Sequence, residues 1–152
     1  SALARLFVNR GDLDEAVLLI NDGVKHYYPV YMTGLKKFYQ YAINLNLMNG
    51  DTVKANDILQ LWEEKMIVEY ESVIRVNPLQ YNARTQLAKL LVKQGNLKNA
   101  TALMNSGVNF NYGPNLTGLD EYYLYAIKLN LMNGDTVKAK EIVRANGLIE
   151  VN

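Results

Sequence analysis

The chain contains itself twice. Leu45 to Ala55 reads LNLMNGDTVKA, and Leu129 to Ala139 reads LNLMNGDTVKA again, 84 positions later. At the same offset Leu3, Ala4, Leu6, Val8, Gly11, Leu13, Ala16, Leu19, Asn21, Gly23 and Val24 return as Leu87, Ala88, Leu90, Val92, Gly95, Leu97, Ala100, Leu103, Asn105, Gly107 and Val108. Thr33-Gly34-Leu35 returns as Thr117-Gly118-Leu119. A fixed internal period constrains the fold more than local propensity does, because each unit of such a chain buries its apolar face against the next copy. Residues 1–68 and 85–152 are therefore expected to be two copies of one element within a single repeat domain spanning 1–152.

Each copy subdivides. Gly11, Gly50, Gly95 and Gly134 are each followed five residues later by alanine: Ala16, Ala55, Ala100 and Ala139. Glycine just past a helix can take the left-handed backbone of a C-cap without a Cβ penalty. The next residue, Asp12, Asp51, Asn96 or Asp135, is a good N-cap for a following helix, and Asp12 with Glu15 makes a capping-box-like pair. The alanine one turn on is small enough for two helices to approach closely. Leu3, Leu6, Phe7 and Leu13, Ala16, Leu19, Ile20 have helical spacing, as do their counterparts in the second copy. Nothing reads as a strand, so an all-α chain of about four helical hairpins is expected. Asn77-Pro78 ends one helix and starts another. Thr52 to Arg75 holds neither glycine nor proline and reads as one long helix or two with a brief break. Pro29 and Pro114 mark loops at Tyr27 to Met32 and Asn109 to Leu116.

With the glycine and alanine of the turn in view, each hairpin resembles a tetratricopeptide repeat. The stretch from Asn77 to Met104, NPLQYNARTQLAKLLVKQGNLKNATALM, comes closest. That family's pattern has a small residue seven places before the turn glycine, a large one four before, an alanine five after and a large apolar residue nine after. Ala4, Phe7, Ala16 and Ile20 match it in the first hairpin, and Ala88, Leu91, Ala100 and Met104 in the third. The second and fourth depart: Ile43 and Ile127 occupy the small site, and Asn46 and Asn130 the large one. Turn spacings of 39 (Gly11 to Gly50, Gly95 to Gly134) and 45 (Gly50 to Gly95) exceed the family's usual length. The resemblance implies a right-handed α-solenoid, covers almost the whole chain, and brings a packing motif with no catalytic residue.

Such arrays commonly bind a peptide or partner protein on a concave face lined by the first helix of each hairpin. Projected onto this chain, the family's inward positions are Arg5, Asn9, Gln40, Asn44, Asn82, Thr85, Lys89, Lys93, Leu124 and Lys128. The set is polar with an excess of positive charge, suited to an extended backbone or an acidic segment. The tyrosines form a second candidate surface: Tyr27, Tyr28 and Tyr31 around Pro29, and Tyr39, Tyr41, Tyr122, Tyr123 and Tyr125 on first helices. Tyr39 and Tyr123, at equivalent positions, are expected to pack between hairpins with the hydroxyl reaching solvent.

The 16 basic residues nearly cancel the 15 acidic ones, so no long-range field favours nucleic acid or anionic lipid. No apolar run nears the roughly 20 residues of a membrane span, and no direct membrane insertion is expected. With no cysteine, disulfides, thiolate catalysis and cysteine zinc sites are excluded. His26 is the lone histidine and reads as a surface or structural residue, and Glu63-Glu64 and Asp120-Glu121 as solvated helix charges. No phosphate loop, nucleophile elbow or metal-ligand spacing is present, so no cofactor or metal is expected. Asn99-Ala100-Thr101 and Asn115-Leu116-Thr117 match the glycosylation tripeptide, with Asn99 placed in a first helical turn.

The leading expectation is a noncatalytic interaction scaffold for a partner protein or peptide. The chain opens at Ser1-Ala2 already in a helical pattern and reads as a piece of a longer protein. A second expectation follows, the soluble tail of a membrane-embedded enzyme such as a bacterial polysaccharide polymerase or glycan ligase. A third is self-association through an open terminal face. Cytoplasm and bacterial periplasm suit the composition equally.

Overall fold

The computed structural model describes residues 1–26, 28, 32–113 and 116–148. Within them lie eight helices and no strand: α1 (Ala2–Asn9), α2 (Leu13–Val24), α3 (Leu35–Met48), α4 (Thr52–Val76), α5 (Tyr81–Lys93), α6 (Leu97–Gly107), α7 (Leu119–Met132) and α8 (Thr136–Ala145). The segment from Thr52 is one helix of 25 residues. Tyr27, Pro29, Val30, Tyr31, Pro114, Asn115 and residues 149–152 lie outside the described residues. So do the expectations that rest on them: much of the tyrosine cluster, both proline loops, the tripeptide at Asn115 and the terminal face.

One turn is built four times. Gly11, Gly50, Gly95 and Gly134 have φ of 84°, 77°, 80° and 81°, the left-handed region in which a Cβ is penalised. That geometry aims the next amide back into the helix just ended. Asp12 N donates to the Phe7 carbonyl (2.9 Å), Asp51 N to Asn46 (2.9 Å), Asn96 N to Leu91 (2.8 Å) and Asp135 N to Asn130 (2.8 Å). These six-to-one bonds close Schellman motifs and satisfy carbonyls the helix end would otherwise orphan. Forward capping is less uniform. Asp51, Asn96 and Asp135 accept from Lys54 N (2.9 Å), Asn99 N (3.4 Å) and Lys138 N (2.9 Å). Asp12 makes no such bond, so the expected capping box with Glu15 does not form. The four turn alanines are all buried.

The chain divides into two compact units, Ser1–Met66 and Ile67–Asn152. In the first, α1 packs on α2 and α2 on α3. Its core joins Ala4, Ala16, Ile20, Leu35, Tyr39, Ala42, Leu45 and Ile58, with Trp62 against it. In the second, α5 packs on α6, α6 on α7, α7 on α8, and α5 also on α7. Ala88, Ala100, Met104, Tyr122, Ala126, Leu129 and Ile142 form its core.

The departures from the family pattern have a physical explanation in the packing. In the second and fourth hairpins the fully buried small residue lies one place earlier, at Ala42 and Ala126, while Ile43 and Ile127 are half-buried. Asn46 and Asn130, both fully buried, are held by a reciprocal amide pair to the preceding helix. Asn46 Nδ2 donates to Asn21 Oδ1 (2.8 Å) and to the Ala42 carbonyl (2.7 Å), while Asn21 Nδ2 donates back to Asn46 Oδ1 (3.1 Å). Asn105 and Asn130 repeat this at 3.0 and 2.7 Å, with the Ala126 carbonyl at 2.7 Å. A buried amide with its hydrogen bonds made is tolerated where an unpaired one is not.

A second duplicated contact explains two glycines inside helices. A Cβ on Gly23 would stand 2.8 Å from Phe38 Cζ, and one on Gly107 2.5 Å from Tyr122 Oη and 2.9 Å from Tyr112 Oη. The ring from the start of the following helix lies directly on the glycine backbone. In the second unit its hydroxyl also donates to the Met104 carbonyl. Tyr39 departs from expectation: it is buried to the hydroxyl, which finds no hydrogen-bond partner among the described residues.

Candidate partner-binding face

The first helices of the hairpins carry most of the candidate residues in stripes three and four apart, the spacing that puts side chains on one helix face. On α1 these are Arg5 and Asn9, and on α3 Gln40 and Asn44; all four are exposed. Arg5 lies with its guanidinium 5.5 Å from the centre of the Tyr41 ring, joining α1 to α3. In the second unit Lys89 stands at the position equivalent to Arg5, and Tyr125 at that of Tyr41. The Lys89 ammonium is 5.7 Å from the Tyr125 ring centre. A cation resting on a half-buried tyrosine is therefore built twice, a contact worth about 0.5–1 kcal/mol at an exposed site.

The two copies differ in what surrounds that cation. Lys89 Nζ is 3.1 Å from Glu121 Oε1, an exposed ion pair across α5 and α7. The residue equivalent to Glu121 is Lys37, and Lys36 replaces Asp120. Among the described residues no carboxylate pairs with Arg5, Lys36 or Lys37. The first turn of α3 thus carries two lysines against the favourable sign of the helix dipole, while α7 carries Asp120 and Glu121 with it.

Comparison of the chain with protein-family models and with curated proteins returned no match. What this face does is thus argued from its own geometry.

Of the remaining candidates, Lys93, Leu124 and Lys128 are exposed, and Asn82 is exposed with its Oδ1 3.0 Å from the point a Cβ on Gly118 would take. Thr85 does not belong to the surface. It is buried, and its hydroxyl donates to the Tyr81 carbonyl one turn back at 3.0 Å. Glu121, read from sequence as a solvated charge, is exposed and pairs with Lys89 of the face in the second unit. Its signal was present in the duplication, where Lys37 and Glu121 are aligned and opposite in charge.

His26 is exposed, 4.0 Å from Asp22, and no group of three or more histidine or carboxylate side chains among the described residues could hold a metal ion. No described helix is long and apolar enough to cross a membrane.

Proposed function

We propose that this chain is a noncatalytic protein-interaction scaffold, a right-handed α-solenoid of tetratricopeptide-like hairpins that binds a partner protein or peptide through its first helices. The duplicated cation-on-tyrosine pair carries the reading. Arginine and tyrosine are enriched at binding hot spots because each offers a broad apolar surface with a directional polar group. Here the cation is exposed in both copies, while the tyrosine beneath it is half-buried and packed against the core. The unit bearing Arg5, Lys36 and Lys37 is suited to an acidic segment, and the unit in which Glu121 neutralises Lys89 to a less charged one.

Photo-crosslinking from Gln40 and Asn44, compared with Leu18 on α2, tests this in the native cell. Partner adducts are expected from the α3 positions, and they should fall when Arg5→Glu and Lys37→Glu are introduced together. Adducts equal from α2, or unchanged in the charge-reversed chain, would refute the assignment of this face.

A further inference from the structure

We propose that this chain self-associates through a small apolar tip that it carries twice, the tips of one copy meeting those of a second copy. The inference does not rest on the reading of the first-helix face.

The tip is the turn between α3 and α4, and again the turn between α7 and α8. From Tyr41 to Ala55 and from Tyr125 to Ala139 the two copies differ at one position only, Asn44 against Lys128. The core accounts for part of that identity, since Ala42, Leu45, Asn46 and Ala55 are buried, as are their counterparts. It does not account for the exposed part. Leu47, Met48 and Val53 are 49, 63 and 71% exposed, and Leu131, Met132 and Val137 are 53, 52 and 67% exposed.

The turn itself does not ask for these side chains. The other two hairpins build the same glycine geometry with Asn9 and Asp14, or with Lys93 and Lys98, where methionine and valine stand here, and all four of those polar residues are exposed. Several other exposed apolar residues change between the copies: Leu18 is aligned with Ala102, Leu61 with Ala145 and Leu124 with Gln40. Apolar side chains kept in both copies, at positions that face solvent and that the turn fills elsewhere with charge, mark a contact surface.

Size and charge select the occupant. Three side chains fall far short of the roughly 800 Å² that a stable interface takes from each partner, so one tip alone holds a partner only briefly. A second copy presents two such tips, and once one pair has met, the other pairing is intramolecular. Each tip is also its own electrostatic complement. Asp51 lies three residues before Lys54, and Asp135 before Lys138, so a two-fold pairing lets aspartate face lysine. Two copies of the first unit's first-helix face would instead oppose Arg5, Lys36 and Lys37 to themselves.

Sedimentation velocity of the full chain between about 10 µM and 1 mM tests this, and the mass should rise with concentration. Met48→Glu with Met132→Glu should weaken association by about tenfold or more and leave the helical circular dichroism unchanged, because both side chains are exposed. Leu18→Glu should not weaken it, nor should Arg5→Glu with Lys37→Glu. As the chain has no cysteine of its own, Val53→Cys with Val137→Cys gives a direct readout. Mild oxidation should link two chains there, and not when Asp14→Cys and Lys98→Cys place the thiols at the equivalent points of the other turns. A monomer at every concentration would overturn the proposal, as would association that survives the double glutamate variant. Flotation of a monomer with phosphatidylcholine vesicles would make a lipid surface the occupant and overturn it equally.

Discussion

Replacing Asn46 by alanine removes a side chain that is fully buried and makes three hydrogen bonds, at 2.7, 2.8 and 3.1 Å. Each is worth about 0.5–1.5 kcal/mol net, so the loss is on the order of 2–4 kcal/mol. Asn21→Ala loses only two of those bonds but strands one amide proton and the carbonyl of Asn46 in the core, at about 1–3 kcal/mol per unsatisfied group. The two effects must therefore overlap. In the double variant the stranded groups no longer exist, and the coupling is expected at about 1–3 kcal/mol. Leucine at both positions should recover much of the loss, since neither partner is then left with an unmet demand. The only tryptophan, Trp62, packs on this core, 5.2 Å from the Tyr39 ring, so its fluorescence in urea follows the first unit directly. A coupling below about 0.5 kcal/mol, the scatter expected of independent sites, would show that the two amides do not act as a clamp.

Gly107→Ala tests the ring-on-glycine contact by its sign. Alanine in an ordinary helix stabilises by about 1 kcal/mol over glycine, but here the new Cβ meets Tyr122 Oη at 2.5 Å, and thermal unfolding should show a net loss of about 1–3 kcal/mol. Stability should also fall at alkaline pH. Burial raises the Tyr112 and Tyr122 hydroxyls above the usual value of 10.0, so the unfolded chain releases these protons first. The stabilisation is whole below pH 10 and is lost as pH rises above it. Urea midpoints at pH 8 and 10.5 measure the drop, which should shrink in Tyr122→Phe.

The hairpins were legible because their signals are local and repeated. A glycine with positive φ, an acceptor after it and an alanine one turn on are each dictated by backbone geometry; the structure places the glycine and the alanine as expected in all four copies and the capping acceptor in three, Asp12 being the exception. The amide clamps were not legible from the family pattern, which expects a large apolar residue at Asn46 and Asn130. Their partners sit 25 residues upstream on another helix. The recurrence of both asparagines at the same offset was the only available sign. Thr85 was misplaced for the opposite reason. A helix-face projection locates a Cα, but a threonine can turn its hydroxyl back to a carbonyl one turn earlier and leave the surface. Of the face itself, sequence supplied the cations and, as a separate surface, the tyrosines Tyr41 and Tyr125, but not their pairing, since joining Arg5 to Tyr41 requires knowing how α1 lies against α3.

A duplicated chain also carries an internal control that separates what the fold needs from what recognition can vary. Held in both copies are the Schellman turns, the asparagine clamps, the glycine beneath an aromatic ring and the cation on tyrosine. The first three bury polar or backbone groups, so a change that leaves one of them unpaired or displaces the packed ring costs stability in either copy. Among the positions that differ, several change charge and are exposed: Lys36 and Lys37 against Asp120 and Glu121, and Asp22 against Ser106. These substitutions reverse or create charge at sites where solvent screens it, and exposed charges contribute little to folding. Charge that barely affects folding but alters what can dock is the signature expected of two copies sharing a scaffold and diverging in partner preference. On that reasoning, exchanging Lys36-Lys37 for Asp-Glu should move the unfolding midpoint by less than the asparagine substitutions do. It should also remove the preference for acidic partners proposed for the first unit, and a large stability change with unaltered capture would reverse the assignment of the two classes.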